Sequence, residues 1–219
     1  LQAWVDAQGW NAAQARVYAA DVRDVRGIVD AGRACLAEQG LPDAVVANAG
    51  ISVGIDTADF DDLEVLRDTL ETNNLGMAAT FHPFLAGMRE RGSGKLVGIA
   101  SVAGIRGLPG HGAYSASKAA VISYCESLRV ECAGSGVKVV TLLPGYVDTP
   151  LTRGNRYAMP FRLPADTFAD RAYAAIVAGA SYRVIPWQMA LVAKLLRLLP
   201  NVLFDRALSG RGRKKRRSG

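Results

Sequence analysis

Short apolar runs rich in β-branched residues alternate along this chain with longer stretches of helical spacing, and that alternation limits the fold more than any other feature. Arg16–Ala20, Ala44–Ala47, Lys95–Ala100, Lys138–Leu143 and Arg183–Ile185 read as strands. They are nearly continuous in apolar character, as expected of strands covered on both faces in a parallel sheet. Helical patterns fall at about 24–39, 62–91, 113–133 and 165–179, and Leu1–Trp10 reads as the end of a helix. Asp24 is placed to cap the first of the four and Gly40 to stop it. Strand and helix in repetition predict an α/β fold, a doubly wound parallel sheet of Rossmann-like type. Ligands of such a sheet sit at the carboxyl ends of its strands. With 219 residues, half of them apolar, there is chain enough to bury one core over 1–185.

Charge is unevenly spread. The net charge is +6, from 26 basic and 20 acidic residues. Residues 209–219 hold six of the basic side chains and no acid, so the rest of the chain is balanced. The excess belongs to a tail that reads as solvated and disordered, and the body carries no signature of a nucleic-acid binder. Three cysteines, Cys35, Cys125 and Cys132, exclude a disulfide scaffold and suit a reducing, cytoplasmic setting. With only His82 and His111 to join them they offer no zinc site.

The chemistry-bearing residues fall at strand ends or on the helices that follow. Tyr114 and Lys118 lie at i and i+4, which puts phenol and ammonium on one helical face. A free phenol titrates at about 10, and a cation close by favours its ionised form. Ser101 ends the strand Lys95–Ala100 in a turn sequence, placed to hydrogen-bond a substrate oxygen. A nucleophilic serine lacks support, because no G-x-S-x-G surrounds it and neither histidine has a clear base role. Asn48-Ala49-Gly50 follows the strand Ala44–Ala47, where Gly50 lets backbone approach a flat ligand. Asn73-Asn74-Leu75-Gly76 interrupts the long pattern 62–91, predicting a local kink or an internal water. Pro144-Gly145-Tyr146-Val147-Asp148-Thr149-Pro150 forms a shaped loop after Lys138–Leu143.

In this order the motifs resemble those of the short-chain dehydrogenase/reductase family over roughly residues 1–185: Asp21-Val22, N-A-G at Asn48–Gly50, the helix asparagine Asn73, Ser101, Y-x-x-x-K at Tyr114–Lys118, and P-G-x-x-x-T at Pro144–Thr149. The resemblance implies hydride transfer between NAD or NADP and an alcohol or carbonyl, with NADP preferred from the family's usage. It makes Tyr114 the general acid/base and lets Ser101 orient the reacting oxygen. Lys118 would lower the Tyr114 pKa and grip the nicotinamide ribose, while Asn73 would hold a water through its backbone. Asn73 is chosen over Asn74 because the family spacing N-x-x-G fixes on Gly76. Asp21 and Val22 would contact adenine. Asn48, Ala49, Gly50, Pro144 and Gly145 complete the cofactor wall, and Val147 and Thr149 would reach the carboxamide. The same resemblance implies a homodimer or homotetramer through helices 62–91 and 113–133.

The family's first βαβ unit, roughly forty residues with a Gly-rich pyrophosphate loop, has no counterpart ahead of Asp21. The expectation is therefore a fragment or truncated gene product, with sheet edges unpaired and no measurable cofactor affinity when expressed alone. Submicromolar NAD(P)H binding would contradict it. The rival from another class is a catalytically silent scaffold of the same fold; a hydrolase is remote. The substrate loop is expected at Pro150–Pro164, where Tyr157, Met159 and Phe161 suit an apolar carbonyl compound.

Beyond the domain, 186–208 is apolar with interspersed Lys194, Arg197 and Arg206, and Pro200 breaks it. Its longest uncharged run is too short for a spanning helix, which needs about 20 apolar residues. Two readings stand: a peripheral anchor on an anionic membrane through 186–219, or a helix packed on the domain or a partner subunit.

Overall fold

The computed structural model describes residues 1–153, 158–210 and 214–217. Its elements run α1 (Gln2–Ala7), α2 (Val25–Gln39), β1 (Ala44–Ala47), α3 (Asp62–Leu70), a π-helical turn (Glu71–Leu75), α4 (Gly76–Arg91), β2 (Gly94–Ile99), a 3-10 turn (Val102–Gly104), α5 (Gly112–Glu131), β3 (Val137–Pro144), α6 (Pro150–Arg153), α7 (Ala165–Val177), β4 (Tyr182–Ile185), α8 (Trp187–Leu198) and α9 (Asn201–Leu208). The strands form one parallel sheet in the order β1-β2-β3-β4.

Each crossover is a helix, which is what parallel pairing demands. Asp24 accepts hydrogen bonds from the Arg26 and Gly27 amides and so starts α2; Gly40 ends it at φ +78°. One face of the sheet packs against α2, α4 and α5, where Phe81, Met88, Leu96, Val121 and Cys125 are almost wholly buried. Val97, Val140 and Leu142 point to the opposite face, beneath Ala172 and Ala175 of α7. Helix α7 covers β3 and β4 there, and β1 leaves Val46 exposed.

Arg16–Ala20, read as a strand, is not one. A strand exists only as a ladder, and no described strand lies beside this segment to receive its hydrogen bonds. It packs on α2 instead, with Arg16 and Tyr18 both bonded to Glu38. The kink expected at Asn73-Asn74 is the π-helical turn, whose extra residue lets the run 62–91 continue into α4. Pro200 separates α8 from α9. Among the described residues no helix is long and apolar enough to cross a membrane.

The tail departs most from expectation. Instead of a solvated segment, Lys214–Arg217 lies along the body: the Gly54 amide donates to the Lys215 carbonyl at 2.9 Å, and Arg216 pairs with Gly54 in a parallel bridge. Arg216 bonds Asp59 and, at 2.7 Å, Asp62, while Arg217 meets Asp68 at 2.8 Å. Removing residues 214–219 is expected to raise the hydrogen-exchange rate of the Gly54 amide at least tenfold. An unchanged rate would contradict that seating.

Candidate active site

The carboxyl ends of β1, β2 and β3 converge on one small cleft. Ser101 follows β2 and caps the 3-10 turn, its Oγ accepting from the Ala103 amide at 3.2 Å. Its hydroxyl is hydrogen-bonded to Tyr114 and lies 3.5 Å from the Pro144 carbonyl at the end of β3. The turn presses against α5 so closely that a Cβ on Gly104 would stand 2.6 Å from the Lys118 backbone. No side chain fits there, and that approach holds the serine opposite the first turn of α5.

Lys118 is buried and donates to the Ile99 carbonyl at 2.7 Å. Its Nζ stands 5.7 Å from the centroid of the Tyr114 ring, so the two groups share a side of α5 as their spacing predicts. Burial without an anionic partner pulls the lysine down to about 8. Tyr114 shifts upward, because burial disfavours phenolate more than the Ser101 hydrogen bond favours it. The expectation that Lys118 acidifies Tyr114 is thus not met in the protein alone: the ammonium is turned toward Ile99, and by the pH at which the phenol ionises it has lost its own proton.

Asn73 is clamped by its side chain. Its Oδ1 accepts from the Ile51 amide at 2.8 Å, and its Nδ2 donates to the Ile51 carbonyl at 3.0 Å and to Ser117 Oγ at 2.9 Å. Ser117 in turn donates to the Tyr114 carbonyl at 2.8 Å. The π-helical turn thereby ties the loop after β1 to the turn of α5 that carries the phenol. Ser117 is wholly buried, a positioning role that sequence reading had not assigned. Asn74 donates to the Ser117 carbonyl at 2.8 Å and so braces the same turn from outside. Asn73→Ala removes three hydrogen bonds at a buried site, and a loss of about 3 kcal/mol in unfolding free energy is expected from denaturant titration; a loss below about 1 kcal/mol would show that the clamp is dispensable.

Gly50 closes the arrangement. A Cβ there would come within 3.3 Å of Asn73 Oδ1 and 3.4 Å of Lys118 Nζ. The missing side chain leaves an open shelf beside a buried ammonium that spends one donor on Ile99. Asn48 and Ala49 are exposed along the rim of that shelf. Ser52, Leu108, His111, Tyr146, Leu151, Thr152 and Lys214 line the cleft of about 70 Å³ with Ser101, Tyr114 and Gly145. Burial keeps His111 below its usual pKa and therefore neutral at pH 7. Tyr146 stands inside the P-G-Y segment, whereas nothing local in the sequence marks Lys214 as a neighbour of Ser101.

A family model described as short chain dehydrogenase matches residues 1–159. The chain belongs to the short-chain dehydrogenase family. An uncharacterized oxidoreductase of Myxococcus xanthus is 42% identical over 187 residues, 85% of this chain and 74% of that protein. A putative ketoacyl reductase of Streptomyces coelicolor is 35% identical over 163 residues, 73% of this chain and 62% of that one. A short chain dehydrogenase from Burkholderia cenocepacia, crystallised in complex with NADP, superposes with a TM-score of 0.73 at 25% identity, covering 87% of this chain and 77% of its own.

For this dehydrogenase-family chain, the structure gathers Asn73, Gly50, Ser101, Tyr114 and Lys118 around one point, with Pro144 and Gly145 adjoining. Asp21 and Val22 lie further out. The Val22 carbonyl abuts Gly76, and the Asp21 carboxylate is held below its usual pKa by Arg23 at 2.9 Å, both side chains facing solvent. Val147 and Thr149 do not line the cleft. Val147 is buried against Leu163, and the Thr149 amide donates to Thr152 Oγ1 at 3.2 Å. In the expected substrate loop, Phe161 is half exposed and Tyr157 lies outside the described residues.

Proposed function

We propose that this chain carries the catalytic part of an NAD(P)-dependent oxidoreductase interconverting a secondary alcohol with a ketone or aldehyde. The observation that carries the reading is the Ser101–Tyr114–Lys118 group at one sheet edge, with the Gly50 shelf beside the lysine. In the reducing direction Ser101 donates a hydrogen bond to the substrate oxygen and fixes its position. Tyr114 Oη then gives its proton to that oxygen and is left as phenolate. Lys118, a helical turn away, stabilises the phenolate and holds hydroxyls seated on the shelf. A nicotinamide, when bound, supplies or accepts the hydride. Residues Asn48–Gly50 and Lys118 would hold its ribose side.

NADP is the cofactor we favour, supported by the NADP complex of the Burkholderia neighbour. Among carbonyl substrates, a ketoacyl group is favoured by the name of the Streptomyces relative. We favour the oxidoreductase over the silent-scaffold reading because Ser101 and Tyr114 line one cleft with Lys118 beside them. Following NADPH absorbance with simple ketones, aldehydes and β-ketoacyl thioesters, in a protein extended at its N-terminus by the family's Gly-rich βαβ unit, tests the proposal. Oxidation of NADPH that depends on both carbonyl and protein is expected; none with any of the three classes would overturn it.

A further inference from the structure

We propose that the outer face of α8 and α9 seats this chain on the surface of an anionic lipid bilayer. Trp187, Leu191, Leu195 and Leu198 recur at spacings of four, four and three, so they form one stripe along α8. Val202 and Leu203 extend it across the elbow into α9, and these six side chains are 54–80% exposed. The inward sides of the helices are already filled, by Met189 and Ala193 on α8 and by Phe204 and Leu208 on α9. The stripe is therefore a second apolar face, beyond what the fold consumes.

Its charge points to the partner. Lys194 borders the stripe on α8 and Arg206 stands one turn beyond Val202 and Leu203 on α9, while Arg197 faces the groove it lines with Ile122 and Glu126. None of the three is ion-paired among the described residues, and Asp205 is the one acid between 186 and 210. A second copy laid stripe to stripe would crowd these cations against their equivalents. An anionic bilayer supplies the missing countercharge, while Lys and Arg stems lie along the apolar surface with their heads in the headgroup layer.

The face is also preformed. The Arg106 guanidinium sits 3.7 Å over the Phe204 ring and donates to the carbonyl of Leu199 at 2.7 Å, to that of Leu196, and to Asn201 Oδ1 at 3.0 Å. This pins the elbow at Pro200 to the segment that follows β2. The ion pairs of Arg216 and Arg217 with Asp59, Asp62 and Asp68 commit those two tail cations to the body, and the described cations beside the stripe itself are Lys194 and Arg206.

Sedimentation of the full chain with phosphatidylcholine vesicles containing 30% phosphatidylserine, against phosphatidylcholine alone, tests the proposal. Preferential retention on the anionic vesicles, weakened by added salt, is expected. Each basic residue near such a surface contributes about fivefold in partitioning. Replacing Lys194 and Arg206 together by Ala should then cost about 25-fold, and Leu195→Ser with Leu198→Ser should also weaken retention. All four positions are exposed, and an unchanged thermal melt shows that each variant still folds. Lack of retention, equal retention on neutral vesicles, or indifference to both sets of substitutions would overturn the proposal. So would a dimer in sedimentation velocity that Leu195→Glu dissolves in a chain that ignores vesicles.

Discussion

Tyr114→Phe, made in the N-terminally extended protein, is expected to lower carbonyl-reduction kcat by about a thousandfold or more while leaving NADPH affinity nearly unchanged. Positioned acid/base groups contribute roughly 10²–10⁴ in rate, and neither Ser101 nor His111 can take over the proton. The Ser101 hydroxyl is too weak an acid. His111 is neutral at pH 7, its Nδ1 lying 3.0 Å from the Pro109 carbonyl; rescue by Tyr146, Lys214 or Lys118, the other proton-bearing groups near the cleft, would appear as retained turnover. The phenylalanine ring keeps the packing, so the fold should survive. Stopped-flow measurement of NADPH oxidation together with a fluorescence titration of NADPH separates the two effects. Turnover within tenfold of the unsubstituted protein would move the acid/base role to another residue.

Lys118→Met is expected to make the protein far less active and more stable at once. A lysine whose pKa falls from 10.5 to about 8 on folding is held charged at pH 7 against a burial penalty. That gap corresponds to roughly 3 kcal/mol. Losing the bond to the Ile99 carbonyl returns about 1 kcal/mol, leaving a net gain of about 2 kcal/mol in urea unfolding at pH 7. The sign follows from proton binding. Between pH 8 and 10.5 the unfolded chain holds more protons than the folded one, so wild-type stability rises with pH across that interval and the advantage of the methionine variant shrinks. Below pH 8 both states are protonated and the full penalty stands. A variant less stable at pH 7 would mean that the buried ammonium is better solvated than its surroundings indicate. Retaining so costly a charge is understandable where it serves chemistry rather than folding.

What the sequence disclosed follows from the range of the interactions involved. The run Lys95–Ala100 announces itself because a strand buried on both faces must be apolar throughout; Ala44–Ala47 has the same composition although Ala44 and Val46 stay exposed, and the residues that close the site stand next to these strands. Asp24 and the asparagines at 73–74 were legible for the same local reason, a cap and a break in helical spacing. Arg16–Ala20 has strand composition, but pairing depends on a neighbour that composition does not name. The path Asn73–Ser117–Tyr114 joins residues 44 and 3 positions apart, and the seat of the tail joins Arg216 to Asp59 across 157. Contacts at that separation leave no periodic trace. The Tyr114–Lys118 pair was visible as a spacing, while the ammonium's turn toward Ile99 depends on where β2 ends.

The account comes down to whether the charge on Lys118 makes the Tyr114 phenol a usable base once cofactor is bound, since in the protein alone burial keeps the phenol above its ordinary pKa. The direct measurement is the pH dependence of kcat/KM for NADP-dependent alcohol oxidation in the N-terminally extended protein and in its Lys118→Met variant, whose residual rate is slow but measurable at high enzyme concentration. A rising limb with an apparent pKa well below 10 is predicted, displaced upward by at least one unit in the variant. Superimposable limbs in the two proteins would contradict it.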